Sequence, residues 1–274
     1  MVEPALELKH CSLERAEIAY LDLGTGPALL LIHGFPLDHT MWAGQHPLSR
    51  HFRLLIPDLP GFGKSHYQGP QWTLEDIAKV LIDWLDAIEV PQLVYCGLSM
   101  GGYVGWRVWR DYPHRLQGLI ACNTRAAADS ETVARARRMN AAIVRQQGVA
   151  GLAAEMLPRL LAESTRAARP ELVRQLSELI GRSDPGTVAE VQLAMAARPD
   201  ATSWLAEIKC PALFVAGEYD GITPSAEMRA NSERLSESGF VEISAAGHLS
   251  PLESPRQFNQ AVLDFLSGIP LAGG

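Results

Sequence analysis

Leu93-Val94-Tyr95-Cys96-Gly97-Leu98-Ser99-Met100-Gly101-Gly102 decides how this chain folds. A run of apolar, strand-favouring residues feeds Gly-x-Ser-x-Gly, and a helical pattern follows without a spacer. A serine in that context sits on a sharp turn between strand and helix, with its hydroxyl exposed. A hydroxyl is a poor nucleophile at neutral pH, so it needs a neighbouring base that can reach it. Gly97 and Gly101 remove the Cβ atoms that would strike the adjoining strand and helix. The N–H of Met100, at the helix start, faces the place where negative charge would develop on an attacked carbonyl. Ser99 is the candidate nucleophile, and the Met100 N–H is a candidate donor to an oxyanion.

Outward from this segment, strand-like stretches recur at 17–22, 27–33, 52–57, 92–96, 116–123, 211–217 and 239–244. Helical patterns lie at 73–88, 100–112, 225–236 and 255–266. Continuous apolar runs such as Ala28-Leu29-Leu30-Leu31-Ile32 suit strands covered on both faces. The expected fold class is α/β, a mostly parallel central sheet flanked by helices. Between Thr124 and Ser203 strand signals vanish, and helical patterns are broken at Gly148, Pro158, Pro170 and Ser183-Asp184-Pro185-Gly186. The expected organisation is a core of residues 1–123 and 204–274 with a helical lid inserted at 124–203. Within that lid Met139, Ile143, Val144, Leu152, Met156, Leu157, Leu160, Leu161 and Met195 recur at helical spacing, and most of them are expected to form its own core.

The chain has 274 residues, 47% hydrophobic and 20% charged, with a formal charge of −7. An acidic balance opposes binding to nucleic acid or to an anionic lipid surface, both of which need a basic patch. No apolar run approaches the roughly 20 residues of a membrane span. Met1-Val2-Glu3-Pro4-Ala5-Leu6-Glu7 has neither the basic nor the apolar region of an export signal, so a cytoplasmic location is expected. Cys11, Cys96, Cys122 and Cys210 lack metal-binding or redox spacing and read as reduced structural thiols. No metal motif appears. Gly61-Phe62-Gly63-Lys64-Ser65 ends like a phosphate loop, yet Asp58 stands where the first glycine is needed; Gly24-Thr25-Gly26 precedes its strand and lacks a third glycine.

Two further strand ends supply what Ser99 lacks. Leu213-Phe214-Val215-Ala216-Gly217-Glu218-Tyr219-Asp220 places an acid after a strand, and Ala245-Ala246-Gly247-His248 places a histidine after the last one. Among the other histidines, His33 directly follows a buried strand; His10, His46, His51, His66 and His114 fall in exposed segments or at helix ends; and His39 competes for the role of base. Asp129, beyond the strand that precedes the insertion, competes with Asp220. Asp58, before Pro60-Gly61-Phe62-Gly63, reads as a structural turn.

With these pieces in place the chain resembles the α/β-hydrolases over residues 20–266. The resemblance rests on His33-Gly34-Phe35-Pro36, Asp58-Leu59-Pro60-Gly61-Phe62-Gly63-Lys64-Ser65, Gly97-Leu98-Ser99-Met100-Gly101-Gly102, Gly217-Glu218-Tyr219-Asp220 and Gly247-His248. His33-Gly34-Phe35-Pro36-Leu37-Asp38, the Tyr103 that follows the serine segment, and Asn123-Thr124-Arg125 are similar to small bacterial carboxylesterases and 3-oxoadipate enol-lactonases. The resemblance implies that Ser99 attacks an ester carbonyl, His248 relays the proton and Asp220 orients the imidazole. It also implies an oxyanion hole built from the backbone N–H groups of Phe35 and Met100 and a supporting role for His33, with no cofactor or metal. The expected activity is hydrolysis of short- to medium-chain acyl esters, with a small-molecule ester as the partner and a monomer or dimer as the assembly. An enol-lactonase acting on a dianion is the first rival, for which Arg125 is the available cation; a perhydrolase is the second. Haloalkane dehalogenation would need a carboxylate in place of Ser99, and a non-catalytic binding module would not need the serine, acid and histidine together.

Overall fold

The computed structural model describes residues 6–69 and 72–271. Among the described residues nine strands form one sheet: β1 (Lys9–Ser12), β2 (Ala16–Leu23), β3 (Ala28–Ile32), β4 (Arg53–Pro57), β5 (His66–Tyr67), β6 (Leu93–Leu98), β7 (Leu116–Cys122), β8 (Ala212–Gly217) and β9 (Ser238–Ile243). Their order is β1-β2-β4-β3-β6-β7-β8-β9, with β5 added beside β2. From β4 through β9 every pairing in that order is parallel, while β1, β4 and β5 all run antiparallel to β2. Every residue of β3, β6 and β8 is buried, as continuous apolar runs between two helical layers require. Exposed strand residues lie in β1, β5 and β9, at the margins of the sheet.

Helix α1 (Leu74–Ala87) starts at a reciprocal cap, in which Thr73 Oγ1 accepts from Asp76 N and Asp76 Oδ2 accepts from Thr73 N. It packs on α2 (Met100–Asp111), which lies over β6 and β7. On the chain's C-terminal side, α8 (Ser225–Ser232) covers β8 and β9, and α9 (Ser250–Glu253) leads into α10 (Pro255–Ser267), which also packs on β9.

Between β7 and β8 the chain forms α3 (Glu131–Gln147), α4 (Leu152–Leu160), α5 (Glu163–Ala168), α6 (Pro170–Gly181), α7 (Pro185–Ala196) and a 3-10 turn at Thr202–Glu207. Helices α3 and α7 pair closely, because α3 turns the small side chains of Ala134 and Ala141, with Val144, inward. Val144, Leu152, Leu157, Leu160, Leu161 and Met195 are buried, but Met139 and Ile143 lie on the outer face of α3 at 59% and 45% exposure. These two do not join the core that their spacing predicts.

Asp129 and Arg198 meet where this helical stretch begins and ends. Arg137 Nε donates to Asp129 Oδ2 at 2.7 Å, and Arg198 Nη1 lies 2.8 Å from Asp129 Oδ1, with Asp129 and Arg198 both buried. Arg198 also stacks over the Tyr103 ring and donates to Ala127 O. The Ala201 N–H donates to Ala126 O at 2.9 Å and draws the two roots together.

Candidate active site

Ser99 links β6 to α2 with φ 51° and ψ −111°, a left-handed backbone that a β-carbon makes costly. The turn is tight around it. A Cβ at residue 97 would stand 2.4 Å from Gly101 O, and one at residue 101 would stand 2.5 Å from Ile32 O. Ser99 N–H donates to Cys122 O at 2.9 Å, and Thr124 Oγ1 donates to Ser99 O at 2.8 Å, so the elbow is tied to the end of β7. Met100 opens α2, so its N–H has no partner inside the helix.

The turn after β3 runs beside this elbow. A Cβ built on Gly34 would stand 3.5 Å from Ser99 Cβ, which brings the Gly34-Phe35 backbone beside Ser99. His33, fully buried, fixes that turn: its Nε2 accepts Leu59 N–H at 2.9 Å, leaving Nδ1–H to donate to Gly34 O at 3.0 Å. Burial holds His33 below the ordinary imidazole range, consistent with this neutral tautomer.

Asp220 follows β8 and is buried with both oxygens filled. Oδ1 accepts Ile222 N–H at 2.8 Å and Thr223 N–H at 3.0 Å. Oδ2 accepts Thr223 Oγ1 at 2.5 Å and Asn123 Nδ2 at 2.9 Å, and faces His248 Nδ1 at 2.8 Å. Burial alone would raise this carboxyl, but the His248 charge and hydrogen bonds from His248, Thr223 and Asn123 outweigh it and hold it well below the usual carboxylate range. An ionised Asp220 accepts and cannot donate, so the neutral His248 carries its proton on Nδ1 and presents Nε2 as an acceptor.

The competing candidates are occupied elsewhere. Asp129 is held by Arg137 and Arg198. His39 Nδ1 and His39 N–H both engage Asp58 Oδ1 at 2.7 Å, and Lys64 N–H donates to Asp58 Oδ2 at 2.8 Å, so Asp58 is the turn support expected of it. Asp38, His39 and Asp58 are close enough to hold a metal ion. Hydrogen bonds already engage both oxygens of Asp58 and, from Thr40, Oδ1 of Asp38. Arg125 pairs with Glu227 Oε2 at 2.8 Å and donates to Ile222 O at 3.0 Å.

Asn123 is the site residue that sequence reasoning left without a role. It is fully buried at the end of β7 with φ 42°, donates to Asp220 Oδ2 and to Gly247 O at 3.3 Å, and accepts from Ser250 Oγ at 2.5 Å. The available signal was an asparagine, one of the few residues at ease with positive φ, directly after an apolar strand.

Residues 27–255 match the family model described as alpha/beta hydrolase fold. The chain belongs to the α/β-hydrolase family. An esterase from Thermogutta terrifontis, solved with malate bound, superposes on this hydrolase with a TM-score of 0.92 at 40% identity, covering 96% of this chain and 98% of its own. The hydrolase is 31% identical over 253 residues to the pimeloyl-[acyl-carrier protein] methyl ester esterase of Aeromonas salmonicida, covering 89% of this chain and 96% of the relative. It is also 29% identical over 238 residues to 3-oxoadipate enol-lactonase 2 of Acinetobacter baylyi, covering 86% and 87% of the two chains. Among the described residues of the hydrolase, no helix is long and apolar enough to cross a membrane.

Proposed function

We propose that the protein is a serine carboxylesterase that hydrolyses short- to medium-chain, uncharged acyl esters. The observation that carries this reading is the left-handed Ser99 turn at the end of one central strand, with a buried Asp220–His248 pair at the ends of two strands beyond it. In the proposed sequence His248 Nε2 takes the Ser99 proton as Oγ bonds to the ester carbonyl carbon, and the carbonyl oxygen becomes an oxyanion facing the Met100 and Phe35 N–H groups. The intermediate collapses, the leaving alkoxide takes the proton from His248, and an acyl-enzyme remains. Water, deprotonated by His248, then bonds to the acyl carbon, and as the bond to Ser99 Oγ breaks His248 returns that proton to Oγ and the acid leaves. Asp220 stays ionised throughout and stabilises the imidazolium. Residues 124–203 act as a lid that shapes the acyl site. A cytoplasmic site of action belongs to the same proposal, supported by four free cysteines.

The names of some relatives, 3-oxoadipate enol-lactonase 2 among them, support a second reading, a lactonase of the enol-lactone type using the same residues. Arg125 decides our preference, since its Nη2 is engaged with Ile222 O and with the Glu227 carboxylate, which already balances the charge a substrate carboxylate would need. Turnover of p-nitrophenyl butyrate compared with a dicarboxylate enol-lactone tests the choice: the neutral ester is expected to be hydrolysed faster, and preference for the anionic lactone would overturn it.

A further inference from the structure

Glu253 lies in α9, beyond His248, and no step of the proposed chemistry uses it. Its carboxylate joins two segments distant in sequence. Oε1 accepts at 2.9 Å from the N–H of Gly247, the residue immediately before His248, and Oε2 accepts at 2.9 Å from the N–H of Ala162, the residue that opens α5. The Thr165 hydroxyl, from α5, is a further donor to the same group. Around this joint Leu249 N–H donates to Leu160 O at 3.1 Å, and Arg169 Nη1 donates to the carbonyls of Leu252 and Glu253 at 3.1 and 3.2 Å.

The two backbones are in direct contact here. A Cβ on Gly247 would stand 2.5 Å from Ala162 N, so the loop carrying the imidazole has the inserted helices as its neighbour instead of solvent. Hydrogen bonds from backbone N–H to a carboxylate are among the stronger ones in proteins, and each oxygen here takes one from a different segment.

We propose that Glu253 is a positioning residue for His248: its carboxylate fastens the imidazole's loop to the segment Leu160–Thr165, so the base is held in place only while that segment is seated on the core. Seating of the helices between β7 and β8 is thereby coupled to competence of the relay. The inference rests on the reading of His248 as the base, and its test includes a measurement that does not depend on that reading.

Two substitutions reach the joint from opposite sides. Glu253→Gln keeps the shape but leaves one acceptor oxygen for two N–H groups. Ala162→Pro replaces the inserted segment's N–H by a ring Cδ that cannot donate and displaces Glu253 Oε2, at backbone angles that suit proline: residue 162 has φ −55°, and Leu161 before it is extended at φ −117° and ψ 142°. In each variant kcat for p-nitrophenyl butyrate, per active site titrated, is expected to fall about tenfold with KM within about twofold, the scale of one lost charge-assisted hydrogen bond. Amide hydrogen exchange is expected to rise at 245–249 in Ala162→Pro, although the substitution lies on the other segment. A merely structural Glu253 predicts lower melting temperature with unchanged kcat in the folded protein. Unchanged kcat in both variants, or exchange at 245–249 that ignores Ala162→Pro, would overturn the proposal. Organophosphate labelling of wild-type Ser99 is read separately: its failure sinks the serine-esterase reading, whereas the exchange measurement decides the Glu253 joint by itself.

Discussion

Asn123 Nδ2 reaches the same Asp220 oxygen that faces His248 Nδ1, at 2.9 Å and 2.8 Å respectively. The end of β7, to which Ser99 is also hydrogen-bonded, is therefore joined by one amide to the acid and the imidazole. Asn123→Ala removes that amide and leaves Ser250 and Gly247 without it. A loss of about 1–3 kcal/mol in unfolding free energy is expected, as for a buried hydrogen-bonding group deprived of its partner. Turnover is expected to fall by about tenfold as the imidazole loses its fixed neighbour, read as kcat beside a thermal melt.

Ser99→Ala and His248→Ala are each expected to lower kcat by on the order of 10⁴-fold or more with the circular dichroism spectrum unchanged. The alanine at position 99 inherits the same left-handed backbone, so stability is not expected to rise. Substantial ester turnover in Ser99→Ala would refute the nucleophile, and an organophosphate that labels wild type at another residue would do the same.

Asp129 provides the contrasting case. Asp129→Ala leaves the buried Arg198 and its neighbour Arg137 without their shared anion, and breaking a buried pair from one side costs on the order of 3 kcal/mol. The melting temperature is expected to drop, while kcat measured well below the melt stays within a few-fold of wild type. A collapse of kcat in a folded Asp129→Ala protein, together with an active Asp220→Ala, would transfer the role of acid to residue 129.

Asp220 also sets a pH dependence of stability. Its carboxyl is held below the ordinary value of about 3.9, so the unfolded chain binds more protons through that range. The stability it contributes is present above about pH 4 and is lost as the pH falls toward its folded value. Denaturant unfolding of wild type is expected to weaken as pH drops below about 5, and Asp220→Asn is expected to show a shallower slope. Asp22 and Asp58, also lowered, give slopes of the same sign, so the variant's slope shrinks without vanishing. Equal slopes in the two proteins would contradict the assignment.

The order of strands and helices was legible because central strands are apolar throughout and the helices have a clear period. The helix read at 225–236 instead ends as Ser225–Ser232, since Ser232 Oγ turns back to Arg229 O and Ser238 Oγ captures Ser232 O. Lys9–Ser12 escaped notice because a short polar edge strand carries no apolar alternation, and the 3-10 segment His39–Arg50, with Pro47 inside it, has no helical period to read. Ser99, Asp220 and His248 could be singled out because each follows a strand. Asn123 and Glu253 could not be assigned roles in the same way: their partners lie 97 and 91 residues away, and only the folded chain brings them together.

The meeting of Asp129 with Arg198, and of Ala126 O with Ala201 N–H, means that the whole helical stretch leaves the sheet and returns to it through one doorway. Because the closure cost changes only slowly with the length between the two roots, parts of the stretch away from its second junction at residues 160–162 can be lengthened or shortened without re-spacing β7 and β8. A graft into this stretch is therefore expected to spare the proposed relay only where it keeps Asp129, Arg137 and Arg198 together with the segment 160–165 that Glu253 joins to the loop of His248.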